Sequence, residues 1–120
     1  MEQEVTVKIS PEEAKEMQDI LNIEEGRYLG SEKDTLKTYS VVFAEGYEAD
    51  IKVCNGNTPF VDAVLFKNGS EVQVLEIRED LLGEYLFKHA GNEFTVNIVL
   101  DEGLIDRTNQ LDDSFAFGTN

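Results

Sequence analysis

One cysteine and one histidine stand in this chain of 120 residues, Cys54 and His89. A thiol beside an imidazole makes an activated nucleophile, but only in hydrogen-bond contact and with a third group to orient the base. No signature of that kind surrounds either residue. Cys54 reads as a bystander thiol at the end of one strand. His89 reads as an edge ring at the end of another, and the two meet only if those strand ends share a sheet edge. One Cys and one His are too few for a structural zinc site. Asp101-Glu102 and Asp112-Asp113 lack the spacing of a calcium loop. No phosphate-binding glycine motif occurs. The 25 acidic residues offer so many carboxylate pairs that none stands out for acid–base work. The expectation is a non-enzyme with no cofactor and no metal.

Charge is the more informative property. Lys plus Arg number 10 and Asp plus Glu 25, a formal net charge of −15. Residues 1–50 carry 13 acids and 5 bases, residues 51–120 carry 12 and 5, so both halves are acidic. Direct binding to nucleic acid needs Lys and Arg to neutralise phosphates, and anionic lipid needs the same. Both are disfavoured, and a basic protein surface is the favoured partner. No run approaches the 18 or so apolar residues of a membrane span. The acidic start, Met1-Glu-Gln-Glu, is the reverse of a signal peptide. A lone cysteine fits a reducing compartment, so a cytoplasmic location is expected.

Three groups of residues are candidates for contact with such a partner. Glu12, Glu16 and Asp19 recur at i, i+4 and i+7, one ridge of a helix. Glu48 and Asp50 project from one side of a strand, about 6.7 Å apart, a carboxylate row that imitates regular phosphate charge. Lys52 interrupts it. Phe60 and Phe66 share a strand face with Asp62 and Val64, opposite Val61, Ala63 and Leu65. For each group the plainer reading is an ordinary solvated face or core packing. One three-turn helix cannot cover a six-stranded sheet, however. Either the sheet curls or part of this second apolar face is a contact patch.

The elements that position these residues follow from periodicity. Val5, Val7 and Ile9 alternate as a short strand. Ser10-Pro11-Glu12-Glu13 is a helix start with a capping-box pattern, and Ala14, Met17, Ile20 and Leu21 continue at helical spacing over about 11–22. A loop over 24–33 follows. From Leu36 the period becomes two: Tyr39, Val41 and Phe43, a Glu45-Gly46 turn, then Tyr47, Ala49, Ile51 and Val53. Asn55 to Pro59 is a loop. Phe60 to Phe66 reads as a central strand covered on both faces. Asn68-Gly69 is a hairpin signal, and Val72 to Ile77 a strand with a bulge at Val74-Leu75. Arg78 to Gly83 turns the chain. Tyr85, Phe87 and His89, a turn at Ala90-Gly91-Asn92, and Phe94, Val96 and Ile98 complete the pattern.

This predicts an α+β fold over 1–100: a short strand, one amphipathic helix packed on the sheet, and an antiparallel meander of about six strands. A β-sandwich with the helix at its edge is the alternative. Residues 101–120 read as an acidic, partly ordered tail with one apolar stub, Phe115-Ala-Phe117.

The segments Tyr47-Glu-Ala-Asp-Ile-Lys-Val-Cys-Asn-Gly, Ala63-Val-Leu-Phe-Lys-Asn-Gly-Ser-Glu-Val, Leu82-Gly-Glu-Tyr and Gly91-Asn-Glu-Phe-Thr-Val resemble small acidic proteins of bacterial mobile elements and prophages. The resemblance covers about half the chain and its motifs are hairpin turns. That class includes inhibitors of host defence, anti-CRISPR proteins among them. It has no shared catalytic motif, so no residue role is carried over. The resemblance implies a small, acidic, non-catalytic inhibitor; together with the charge and the Glu48/Asp50 row, the leading expectation is a non-enzymatic protein-binding module that blocks a basic surface such as the nucleic-acid groove of a host defence nuclease. Two other expectations stand beside it. One is a structural or assembly protein that hides the Phe60/Phe66 face in a homodimer. The other is a small-molecule binder using a cleft that contains His89 or a carboxylate pair.

Overall fold

Strands arise here where apolar and polar residues alternate, and they end where a residue pair adopts left-handed backbone. The computed structural model describes residues 1–22, 34–55 and 59–103. In chain order these form β1 (Glu2–Ile9), α1 (Pro11–Leu21), β2 (Asp34–Val42), β3 (Tyr47–Asn55), β4 (Phe60–Lys67), β5 (Ser70–Val74), β6 (Gly83–His89) and β7 (Asn92–Leu100). The loop expected over 24–33, most of that over 55–59 and the tail from 104 onward lie outside the described residues.

The helix begins as its sequence dictates. Ser10 adopts extended backbone at the N-cap, Pro11 follows it, and the Glu13 N–H donates to Ser10 Oγ at 3.1 Å. Such a cap contributes about 1 kcal/mol. The Glu13 carboxylate accepts a hydrogen bond from the Tyr39 hydroxyl and lies 3.7 Å from Lys37 Nζ. A capping residue thereby ties the helix to β2.

The strands do not form one sheet. β2-β3-β4-β5 is a four-stranded antiparallel meander, and β1-β7-β6 is a separate three-stranded sheet. Within the second sheet β1 runs parallel to β7, with Val5 beside Val96 and Val7 beside Ile98. The α+β class holds, but the expected six-stranded meander is corrected: its strands divide between two sheets. Short turns dictate that β2–β3, β4–β5 and β6–β7 pair antiparallel, and they do. β1 has no turn to a partner, so it takes the open edge of β7. The 74–83 segment carries the chain out of the first sheet into the second.

The two sheets face one another, the feature this arrangement shares with a sandwich. Phe94 of β7 packs against Phe43 (ring centroids 5.1 Å apart) and Tyr47 (4.2 Å). The inner face of the meander supplies Tyr39, Val41, Ala49, Ile51, Val53, Val61, Ala63 and Leu65 to one buried cluster. Tyr85, Phe87, Val96 and Ile98 meet them from the other sheet, and Met17 and Leu21 from the helix. Each such side chain contributes roughly 1.5–3 kcal/mol when fully buried. Two further contacts close the seam, the Ala44 N–H donating to Gln3 Oε1 at 2.8 Å and the Lys88 N–H to Gln73 Oε1 at 2.6 Å, while Tyr85 Oη donates to the Leu81 carbonyl at 2.6 Å and ties the connecting segment to β6.

The turns behave as their residues require. Lys67 pairs with Ser70 and His89 with Asn92, so Asn68-Gly69 and Ala90-Gly91 are two-residue hairpin loops. Both residues of each pair have positive φ, as type I′ geometry demands. Glu45 and Gly46 are also left-handed. The bulge lies elsewhere than expected: the register shift falls opposite Leu65 and Phe66, making Val72 the extra residue. Val72 thereby packs on the core, and a bridge between Val61 and Arg78 continues the pairing beyond β5.

Candidate protein-binding face

Side chains opposite one another in a ladder share a face, so the register of the meander defines its outer surface. One row runs Val42, Glu48, Phe66, Glu71; the next runs Ser40, Asp50, Val64, Val74. Beyond them lie Thr38, Lys52 and Asp62, and then Cys54 beside Phe60. The residues expected as two separate candidates, Glu48 with Asp50 and Phe60 with Phe66, therefore occupy a single face. Glu48 is paired directly with Phe66.

The helix does not cover this surface. Its buried residues join the inner cluster, and Glu13 reaches Tyr39, an inner-face residue in register with buried Ile51. The expectation that β4 is covered on both faces is corrected accordingly. Its inner residues Val61, Ala63 and Leu65 are sealed, whereas Phe60, Asp62 and Phe66 are half-buried. Val64, at 4% exposed, is shielded although it faces outward. Val42 is 74% exposed and Val74 50%. Neither valine was singled out from sequence. The signal for Val42 was present: it is an apolar residue in the outward set with Thr38 and Ser40.

The electrostatics are lopsided. Among the described residues, the outer face holds Glu48, Asp50, Asp62 and Glu71 against the single cation Lys52. Ser40 Oγ donates to Asp50 Oδ1 at 2.7 Å, which orients that carboxylate without neutralising it. The helix ridge is different. Glu12, Glu16 and Asp19 are exposed, on a helix whose buried residues join the inner cluster and not the outer face of the meander. Asp19 is held by Lys15 at 2.7 Å, an exposed pair worth little. The helix acids and the strand acids therefore form two surfaces and not one continuous row.

Cys54 and His89 do not converge. Cys54 is fully buried near the far end of β3. His89 Nδ1 lies 3.0 Å from the hydroxyl of Tyr47, the first residue of that strand. Seven residue steps of strand, about 23 Å, separate Tyr47 from Cys54. The shared edge on which a Cys54–His89 pair depended does not exist. Among the described residues no cluster of three His, Cys, Asp or Glu side chains is arranged to hold a metal ion. An open depression of about 190 Å³ on the other sheet is lined by Glu2, Gln3, Glu4, Glu93 and Thr95, with no base beside a nucleophile. Among the described residues, two buried phenols have displaced pKa values. Burial raises Tyr39, with the Glu13 hydrogen bond adding to the shift. Burial also pushes Tyr85 up to about 12, against a lowering effect of Arg78, whose guanidinium lies 4.2 Å from the ring centre.

No described helix is long and apolar enough to cross a membrane. In comparisons with protein-family models, curated proteins and solved structures, the chain matches none.

Proposed function

We propose that this chain is a non-enzymatic binding module whose outer β2–β5 face engages a basic protein surface and blocks it. The observation that carries the reading is the placement of Glu48 and Asp50 beside Val42 and Phe66 on a face no described element covers. Carboxylates at strand spacing steer a cationic partner and raise the association rate, while apolar side chains that become buried lengthen residence. A surface that neutralises phosphates is the natural complement. The nucleic-acid groove of a host defence nuclease, suggested by the resemblance to mobile-element proteins, is its most specific form.

A homodimer through the same face is the weaker reading. Two copies would oppose four carboxylates to four carboxylates, with only Lys52 from each to offset them. The test is retention of nucleic-acid-binding proteins from bacterial lysate on the immobilised chain. Retention should fall steeply from low to moderate salt, be competed by duplex DNA, and be lost with Glu48→Gln/Asp50→Asn. Capture that is indifferent to salt and to that double substitution would sink the proposal. A concentration-independent dimer in sedimentation would favour the homodimer instead.

A further inference from the structure

We infer that the free edge of β2 is a strand-addition site for an extended segment carrying Lys or Arg at every second position. The inference rests on the proposed binding face and specifies how its partner approaches.

The Phe43 N–H donates to the Tyr47 carbonyl at 2.8 Å, so Phe43 points its backbone toward β3. Backbone polarity alternates along a strand. Val41 and Tyr39 therefore also bond inward, and Val42, Ser40 and Thr38 turn their N–H and C=O groups outward. Among the described residues no strand pairs with that side. Thr38, Ser40 and Val42 are all exposed.

Sheet edges are usually guarded by charge, brevity or a covering element. β1 carries Glu2, Glu4 and Lys8. β5 is five residues long and meets β6 through Gln73. β2 is nine residues long, and from Thr35 to Ala44 this very acidic chain has no carboxylate. Its one charge there, Lys37, is turned inward to Glu13. Among the described residues, the bulge between Thr35 and Lys37 is the one guarding feature on this edge.

The neighbouring carboxylates define what fits. A strand added beside β2 lies about 9.6 Å from β3. Its residues opposite Ser40 and Val42 fall in the same rows as Asp50 and Glu48. Ser40 is small, so a long cationic side chain passes over it to Asp50, and one over Val42 approaches Glu48. A second copy of β2 offers valine, serine and threonine at those places and no cation, so it is not the occupant.

The probe is the peptide Lys-Thr-Lys-Thr-Lys-Thr-Lys, with a control of the same composition in which the lysines are grouped. Hydrogen exchange of the Thr38, Ser40 and Val42 amides should slow about tenfold or more with the alternating peptide and hardly at all with the control. Ser40→Pro removes an outward N–H and is tolerated at an edge, so the protein should stay folded and bind the peptide about tenfold more weakly. Should Ser40→Pro lower stability, Val42→Lys, at a side chain already exposed, carries the same expectation by like-charge repulsion. Amides unaffected by the peptide, or already protected in the free protein by a second copy, would overturn the inference. Binding that survives Ser40→Pro and Val42→Lys but is lost with Glu48→Gln/Asp50→Asn would remove the edge and leave the binding face standing. Binding lost with Ser40→Pro yet indifferent to the acid substitutions would overturn the alternating-cation requirement.

Discussion

The outer faces of the two sheets obey the same period-two rule and end up chemically different. On the three-stranded sheet the outward residues are Glu2, Glu4, Thr6 and Lys8 on β1, Glu93, Thr95, Asn97 and Val99 on β7, and Glu84, Leu86 and Lys88 on β6. Glu93 stands between Lys88 on one side and Glu2 on the other, and Asn97 donates to the Glu4 carboxylate. Two lysines, Lys8 and Lys88, are interspersed among the four acids of this face. On the four-stranded sheet, Val42, Phe60, Val64, Phe66 and Val74 intrude among acids that one lysine cannot balance. A strand with one buried face needs polarity on the other only for solubility. Exposed apolar side chains occur on both sheets, Leu86 and Val99 at 38% and 37% on one and Val42 and Val74 at 74% and 50% on the other, so the larger apolar exposure lies on the four-stranded sheet.

The sharpest way to break the comparison is to separate what holds the sheets together from what one of them presents. Phe94→Ala removes the ring between Phe43 and Tyr47 and should destabilise by about 3–5 kcal/mol in denaturant unfolding. Phe66→Ala, half-buried on the outer face, should cost roughly 1 kcal/mol or less while weakening partner retention. Equal stability losses would show that the outer face is core in disguise.

Charge substitution is the next test. Glu48→Gln/Asp50→Asn should leave unfolding within about 0.5 kcal/mol of the parent and weaken partner binding about tenfold. Glu2→Gln/Glu4→Gln on the other sheet should leave both stability and partner binding unchanged. If both pairs weaken binding alike, overall charge is at work and the β2–β5 face has no privilege.

Alkaline pH probes the inner side. Tyr39 and Tyr85 are both raised above the usual phenol value of 10. The folded state holds their protons more tightly than the unfolded state, so stability should be flat below pH 10 and fall as pH rises above it. The Tyr85 contribution should be exhausted near pH 12, whereas that of Tyr39 continues higher. Tyr39→Phe should make the decline shallower in pH-dependent unfolding.

The smallest effect compares the two type I′ hairpins. The meander closes one with Asn68-Gly69, and the second sheet uses Ala90-Gly91, with Ala90 at φ +51°. Left-handed backbone costs alanine about 1 kcal/mol relative to glycine. Ala90→Gly or Ala90→Asn should raise stability by roughly 0.5–1 kcal/mol in thermal unfolding. Asn68→Ala should lower it by a similar amount.

Much of the local structure was legible. Ser10, Pro11 and Glu13 announced the helix, and Asn68-Gly69 and Ala90-Gly91 the hairpins, because capping and left-handed turns depend on neighbouring residues. The faces of β2, β3 and β4 were legible too, since side-chain alternation is a property of the strand itself. The candidate site was legible only in pieces. Glu48 and Phe66 are 18 positions apart in sequence, and nothing short of the β3–β4 register makes them neighbours. The bulge at Val72 was misplaced because the pattern Val72, Val74, Leu75 allows more than one register.

What the sequence determined by itself is the acidity, the helix that starts at the Ser10 cap, and the inward and outward set of most strands. These follow from residue chemistry and from interactions spanning a few positions. Tertiary structure decided that β1 would join β7 in parallel, that seven strands would divide three and four, and that the helix would take the inner side. Those choices compare the burial of whole faces against one another. Period two says which way a side chain points and nothing about which strand, or which partner molecule, will lie beside it.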